Sequence, residues 1–193
     1  MKTLVVVTHP LKTSLCQYLA KNVIEHLEKQ GHEVTVKDLY QENFEPALSE
    51  SERGSYYSQN FQPEQTADDI RQLEETEYLV LVFPTWWFNF PAILKGWFDR
   101  VWVPGHAYNH SPDMKAITPN LDKLKKVTAV TTLGAPWWVD RFVLRRPMYK
   151  ILKYALLEAC ASQCKFRMHS LYQSEIVSPD KVEQFLKQVK RTL

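Results

Sequence analysis

Three short stretches of this 193-residue chain concentrate side chains able to hold a flat, charged small molecule. THPLKTS (8–14) offers the hydroxyls of Thr8, Thr13 and Ser14 and the imidazole of His9, just ahead of a helical pattern. Free amides at a helix start and the helix dipole point the same way, and together they attract a phosphate. A plain helix cap is the simpler reading of the same residues. PTWWFNF (84–90) puts three consecutive aromatics after a buried strand pattern. Rings at that density need a cover, which could be a planar cofactor, the core or a partner chain. TTLGAPWW (131–138) adds Thr131 and Thr132, a Gly134 suited to close backbone approach, and two more tryptophans.

The elements that must position these loops follow from apolar periodicity. TLVVVT (3–8), YLVLVF (78–83) and KVTAVTT (126–132) are runs of the kind expected for strands buried on both faces of a parallel sheet. HEVTVKDL and CKFRMHSL (164–171) read as two further strands. Leu15, Leu19, Val23, Ile24 and Leu27 follow a helical period that Gly31 ends. Residues 64–76 predict a polar helix, 91–102 a helix with Pro91 in its first turn, and 142–161 another. Ser178 and Pro179 open the last helix. Residues 40–63 read as one long polar connection. Alternating strands and helices imply a three-layer α/β domain over residues 1–193 with right-handed crossovers. In such sheets the ligand lies beyond the carboxyl ends of the strands, near the switch point, which selects the same three loops.

Composition narrows the partners. A net charge of +2 without a long Lys/Arg block argues against nucleic acid. The uncharged run Tyr78–Leu94 contains Pro84, Asn89 and Pro91 and is better divided into strand, loop and helix than read as a span, so no direct membrane insertion is expected. The apolar run after Met1 is too short for a signal peptide. Cys16, Cys160 and Cys164 lack a disulfide-framework spacing and suit a reducing cytoplasm. Cys160 and Cys164, four apart, could share a helix face, and buried thiols are the expectation there. The first loop has neither the GxGxxG fingerprint nor a P-loop ending, which argues against dinucleotide-binding Rossmann and NTPase readings.

Taken in order, THPLKTSL, FPTWWFNFPAILKGWFDRV, PGHAY and TTLGA resemble the NAD(P)H quinone oxidoreductase family, the second segment most specifically, and the likeness spans residues 1 to about 135. The resemblance implies a flavodoxin-like, doubly wound parallel sheet of five strands in the order 2-1-3-4-5. It implies FMN or FAD as a cofactor that takes a hydride from NADH or NADPH and passes two electrons to a quinone or similar acceptor by a ping-pong scheme. His9, Thr13, Ser14 and Leu15 would meet the flavin phosphate region. Pro84, Thr85, Trp86, Trp87 and Phe88 would hold the isoalloxazine, with Thr131, Thr132, Leu133 and Gly134 at its other edge. The family works as a homodimer, and Tyr108 and His110 match residues that line the neighbouring subunit's substrate pocket, the catalytic positions implied here. Animal members carry a TTGG loop followed by a tyrosine and a histidine proposed to relay charge. Here TTLGAPWWVD stands instead, with neither residue at a matching place.

Two other roles compete. A flavodoxin-type electron carrier docks through acidic surfaces, which a +2 chain does not favour. A regulatory flavin-fold subunit of a membrane transporter, such as a potassium efflux system, would turn the aromatic surface toward a partner protein. His106 and His110 are four apart, but no carboxylate or thiol cluster completes a zinc site, and no metal is expected. Arg141, Arg145 and Arg146 could hold the extra phosphate of NADPH, but a solvated helix face is the favoured reading. Lys95 and Asp99 read as an i,i+4 helix pair.

Overall fold

The computed structural model describes residues 1–58 and 61–193. Five parallel strands form the main sheet: β1 (Lys2–Val7), β2 (Glu33–Asp38), β3 (Tyr78–Pro84), β6 (Lys126–Leu133) and β7 (Lys165–Tyr172). Their spatial order is β2-β1-β3-β6-β7, which in chain order is the expected 2-1-3-4-5. A two-stranded antiparallel hairpin, β4 (Tyr108–His110) with β5 (Ile117–Pro119), is inserted before β6. The connection from β2 to β3 passes from one side of β1 to the other, so the loops leaving β1 and β3 diverge and open a crevice between them.

Alternation along the strands sorts side chains into two cores. Leu4, Val6, Leu79, Leu81 and Phe83 face one layer with Leu94, Trp97, Phe98 and Leu152. Val5, Val7, Val80 and Val82 face the other with Leu19, Val23, Phe185 and Leu186. The second layer is built by α1 (Leu15–Lys29) and α7 (Pro179–Lys190), the first by α3 (Ala67–Glu75) and α4 (Ala92–Val101) together with the segment from Pro147 to Cys160. β3 is buried at all seven positions, as its unbroken apolar run requires.

Local signals explain the helix ends. Ser14 Oγ accepts the Gln17 N–H at 3.2 Å and caps α1, which stops at Gln30 before Gly31 turns left-handed at φ +79°. Ser178 occupies the cap position of α7 with Pro179 following, but its side chain makes no capping hydrogen bond. In α4, Gly96 lies so close to Pro46 that a Cβ would overlap the proline's carbonyl oxygen, Cα and Cβ. Gly96→Ala is therefore expected to destabilise the fold by about 1–3 kcal/mol in urea unfolding, the range for overpacking a tight site.

The structure departs from the sequence reading in four places. The helix expected over 142–161 is broken. A π-helical turn, Val139–Val143, ends at Leu144, Arg145 and Arg146 both adopt φ +57°, and the chain restarts as α5 (Pro147–Lys150). It continues as a π-helix, Ile151–Leu157, and ends in α6 (Glu158–Cys160). Pro147 explains the break, because its ring excludes the right-handed helical conformation from the residue before it. Arg141, Arg145 and Arg146 accordingly lie at and beyond a helix break and not on one helix face. The polar connection holds a short helix, α2 (Glu50–Ser55), started by a capping box in which Ser49 and Glu52 bond each other's backbone amides. Cys160 closes α6 while Cys164 follows it in the turn before β7, so the two do not share a helix.

All three cysteines are buried and unbridged. Burial, aided by the charge of Asp38, pushes the Cys16 thiol up to about 12, burial alone pushes Cys160 to about 12, and burial opposed by the charge of Lys153 pushes Cys164 to about 11. At pH 8 only about one in a thousand of even the Cys164 thiols is ionised in the folded chain. Alkylation by iodoacetamide is expected to be at least about a hundredfold slower in buffer than in denaturant, and mass spectrometry of timed samples checks this. Among the described residues no helix is long and apolar enough to cross a membrane.

Candidate functional site

The carboxyl ends of β1, β3 and β6 bring the three sequence-selected loops to one edge of the sheet. The β1 loop is short and internally bonded. The Thr8 N–H donates to the Val82 carbonyl at 2.9 Å, which ties the loop to β3. The Leu11 N–H donates to His9 Nδ1 at 3.1 Å, so the imidazole hydrogen sits on Nε2. Burial holds the His9 pKa below the ordinary histidine value, and the ring is neutral at pH 7. The His9 ring also meets Trp86 edge to face, with centroids 6.2 Å apart, which joins the first loop to the second. Thr13 is exposed, while Ser14 and Leu15 are half-buried at the α1 start, whose first turn contains no acidic residue.

The β3 loop is a tight turn. Trp86 and Asn89 exchange backbone hydrogen bonds at 3.1 and 2.9 Å, and the residues between them, Trp87 and Phe88, take φ +51° and +56°. Two left-handed positions suit a type I′ turn, which ordinarily uses Asn and Gly. Placing bulky aromatics there costs about 1–3 kcal/mol each, a strain found mainly where function requires the conformation. Asn89 Oδ1 fixes the exit by accepting the Phe90 N–H at 2.8 Å. The outcome is a Trp87 side chain 98% exposed and a Trp86 side chain 41% exposed.

The β6 end faces this turn. The Thr85 N–H donates to the Thr132 carbonyl at 2.8 Å, and the Thr85 and Thr131 hydroxyls are 2.6 Å apart, so the two loops start in fixed register. Between them lies a cleft of about 490 Å³ lined by Thr85, Trp86, Trp87, Phe88, Leu133, Gly134, Ala135 and Glu175. Six of the expected residues therefore share one cavity. Pro84, Thr131 and Thr132 stand behind it as buried strand residues, and the Thr131 hydroxyl is committed to Thr85. A side chain at position 134 would approach Glu175 Oε1 to 3.1 Å, which shows how closely the β6 and β7 loops meet there. Residue patterning does not single out Glu175 or Ala135. Applying the strand-end rule to β7 as well finds Glu175, since it lies three residues past that strand.

Tyr108 and His110 do not line this cleft. Tyr108 faces an apolar recess of about 370 Å³ with Phe98, Trp102 and Ile117, while His110 packs against Tyr57 and Tyr108 at centroid distances of 5.5 and 5.3 Å. His106 Nδ1 pairs with Glu74 at 2.7 Å. Among the described residues no group of three or more His, Cys, Asp or Glu side chains is placed to hold a metal. Lys95 pairs with Asp99 along α4 as its spacing implied.

A planar, anionic molecule fits this edge. The cleft is lined by Trp86, Trp87 and Phe88 of one loop and by Leu133, Gly134 and Ala135 of the other. Thr8 Oγ1, buried at the β1 end, has no hydrogen-bond partner among the described residues and is the kind of orphan that a ligand satisfies.

A model of the flavodoxin-like fold matches residues 1–193. NAD(P)H dehydrogenase (quinone) 1 of Cavia porcellus is 33% identical over 150 residues, which are 69% of this chain and 54% of that protein. The ribosyldihydronicotinamide dehydrogenase-like protein traD of Penicillium crustosum is 32% identical across 92% of this chain and 78% of its own. The chain thus spans about half the length of its animal quinone dehydrogenase relatives and more of the fungal one. Among solved structures, Smu.1420 of Streptococcus mutans superposes with a TM-score of 0.83 at 28% identity, covering 100% of this chain and 98% of that one. With its full length matched by the fold model and its strand order that of a doubly wound sheet, the chain belongs to the flavodoxin-like family, which it shares with these NAD(P)H quinone dehydrogenases.

Proposed function

We propose that the protein is a flavin-dependent NAD(P)H oxidoreductase that reduces quinones or related electrophiles. The observation that carries this reading is the cleft between the Trp86–Asn89 turn and Leu133–Ala135, at the strand ends beside the α1 start, in a chain similar to quinone dehydrogenases. A bound flavin, FMN or FAD, supplies hydride acceptance from NADH or NADPH and two-electron delivery to the acceptor.

The residues divide this work by position. His9 Nε2–H, the Thr13 and Ser14 region and the α1 amides hold phosphate, where the lack of acids in the first turn favours an anion. Trp86, Trp87 and Phe88 cover the ring face and exclude water, while the Trp87 and Phe88 amides, which the Trp86–Asn89 hydrogen bonds leave over, and the backbone at Leu133 and Gly134 stabilise negative charge at its polar edge. Thr85 and Thr131 act from behind by fixing the spacing of the two loops. Because Tyr108 and His110 lie outside their own chain's cleft, they serve a homodimer in which each chain contributes them to the substrate pocket of the other. Ping-pong kinetics follow if NAD(P)H and acceptor use that pocket in turn.

Steady-state oxidation of NADH and NADPH with a simple quinone tests the activity, and sedimentation tests the two-chain assembly. Parallel double-reciprocal lines are expected. Absence of quinone-dependent NAD(P)H oxidation by protein loaded with either flavin would refute the reading.

A further inference from the structure

The loop that leaves β7 is folded back onto the cleft. Gln173 takes φ +52°, a left-handed conformation that its side chain disfavours, and the Gln173 and Ser174 N–H groups donate to the Ala135 and Leu133 carbonyls at 3.2 and 2.9 Å. The Ile176 N–H closes the turn on the Gln173 carbonyl at 3.1 Å. Glu175 is carried in this turn against Gly134, where a Cβ would lie 3.1 Å from its Oε1, so the glycine leaves room for the carboxylate. Of the eight residues that line the cleft, Glu175 alone is ionisable. It forms no ion pair among the described residues, so no cation of the chain neutralises it directly. A carboxylate that served only hydration would need neither the left-handed turn nor the space at Gly134.

That placement gives the edge of the sheet an electrostatic polarity. The α1 start has no acid in its first turn and presents the His9 Nε2–H, so an anionic group is favoured there. The wall at Gly134 carries a carboxylate, so negative charge is disfavoured on whatever occupies the cleft. On the flavin reading above, a hydride brings two electrons and one proton to the ring. The reduced ring then carries one more negative charge than the oxidised ring until water supplies a second proton. The Trp87 and Phe88 amides favour that charge and Glu175 opposes it.

We propose that Glu175 sets the reduction potential of the flavin held in this cleft, favouring the oxidised over the reduced form so that electrons pass on readily to a weak acceptor. The proposal rests on the flavin reading and assigns a residue that the three strand-end loops of β1, β3 and β6 do not supply. A unit charge lining the cleft, partly screened by solvent, changes the ratio of oxidised to reduced affinity by about three- to tenfold. Because Glu175 bonds to nothing that holds the fold, its charge can be changed without loosening the loop, which the backbone hydrogen bonds of Gln173 and Ser174 retain.

The test loads the full chain and its E175Q, E175D and E175K variants with FMN or FAD, measures the affinity by fluorescence titration, and then measures the two-electron midpoint potential against a reference dye. All are expected to melt with the parent. In E175Q the preference for oxidised flavin is expected to fall about three- to tenfold, which at about 30 mV per tenfold raises the midpoint by about 15–30 mV. E175K is expected to shift it about twice as far in the same direction, and E175D to stay with the parent, since charge and not shape is responsible. Equal midpoints in the parent and E175Q, or an E175D shift as large as that of E175Q, would overturn the proposal. So would a change in sedimentation of E175Q with its midpoint unmoved, since the residue would then serve a contact between copies. Failure of the parent and every variant to bind either flavin would refute the cofactor reading itself, and this proposal with it.

Discussion

Replacing Trp86 and Trp87 together by alanine is expected to weaken flavin binding by about a hundredfold or more while costing the fold only about 1–3 kcal/mol. The first half of that expectation rests on stacking, worth about 1–3 kcal/mol per aromatic face against a planar ring, which for two rings reaches a factor of a hundred or more. The second half rests on exposure: Trp87 is 98% exposed and its truncation removes almost no buried area, while Trp86, 41% exposed and packed on His9, gives up burial worth about 1–3 kcal/mol. Trp87→Gly is the informative companion. Glycine accepts φ +51° without the penalty that a side chain meets there, so this variant should melt at or slightly above the parent temperature and still bind flavin less well. Fluorescence titration of the stripped protein with FMN and with FAD, beside thermal melts, separates binding from folding. Unchanged affinity in the double variant would remove the turn from the site.

The largest effect on stability is expected at Arg100. Its Nε lies 3.1 and 3.0 Å from the two carboxylate oxygens of Glu52 and its Nη2 lies 2.7 Å from Oε1, while Nη1 donates to the Glu45 carbonyl. Arg100 is 3% exposed and Glu52 0%. Together they clamp the polar connection and α2 onto α4. Arg100→Ala leaves a carboxylate buried without its cation, which costs about 3–5 kcal/mol. Replacing both partners, as in R100M/E52L, should recover only part of that loss, because an apolar pair avoids the desolvation of two charges while the Ser49 amide and the Glu45 carbonyl each lose a hydrogen bond. Urea unfolding of the two variants decides between them, and a loss below about 1 kcal/mol for Arg100→Ala would mean that α2 is held by other contacts.

That clamp also marks where sequence patterns stop being informative. The strands are legible because residues such as Val5, Val80 and Ala129 must be apolar in a sheet covered on both faces, and a short unbroken apolar run bounded by turn residues is what such a strand requires. Ser14 and Gly31 are legible because capping and left-handed termination each demand a small set of residue types. The role of Glu52 is not, since its partner Arg100 is 48 residues away, although the Ser49–Glu52 spacing alone marks a helix start. The break before Pro147 is hidden because apolar periodicity continues across it, while the constraint of proline on Arg146 is purely local. In the site, residue types in the three loops point to aromatic and phosphate-binding chemistry. They do not reveal that Trp87 and Phe88 occupy the left-handed turn that pushes Trp87 into solvent, nor that Glu175 closes the far wall. The first is a turn type that these residues disfavour, and the second depends on how separate loops meet.

A flavin at the β1, β3 and β6 strand ends is the central claim, and the absorbance spectrum of the purified chain addresses it most directly. The visible bands of an oxidised isoalloxazine are predicted, present on purification or appearing with one equivalent of FMN or FAD and absent from the Trp86, Trp87 double variant at the same concentrations. A chain that is colourless and remains so after flavin is added and excess removed would contradict it.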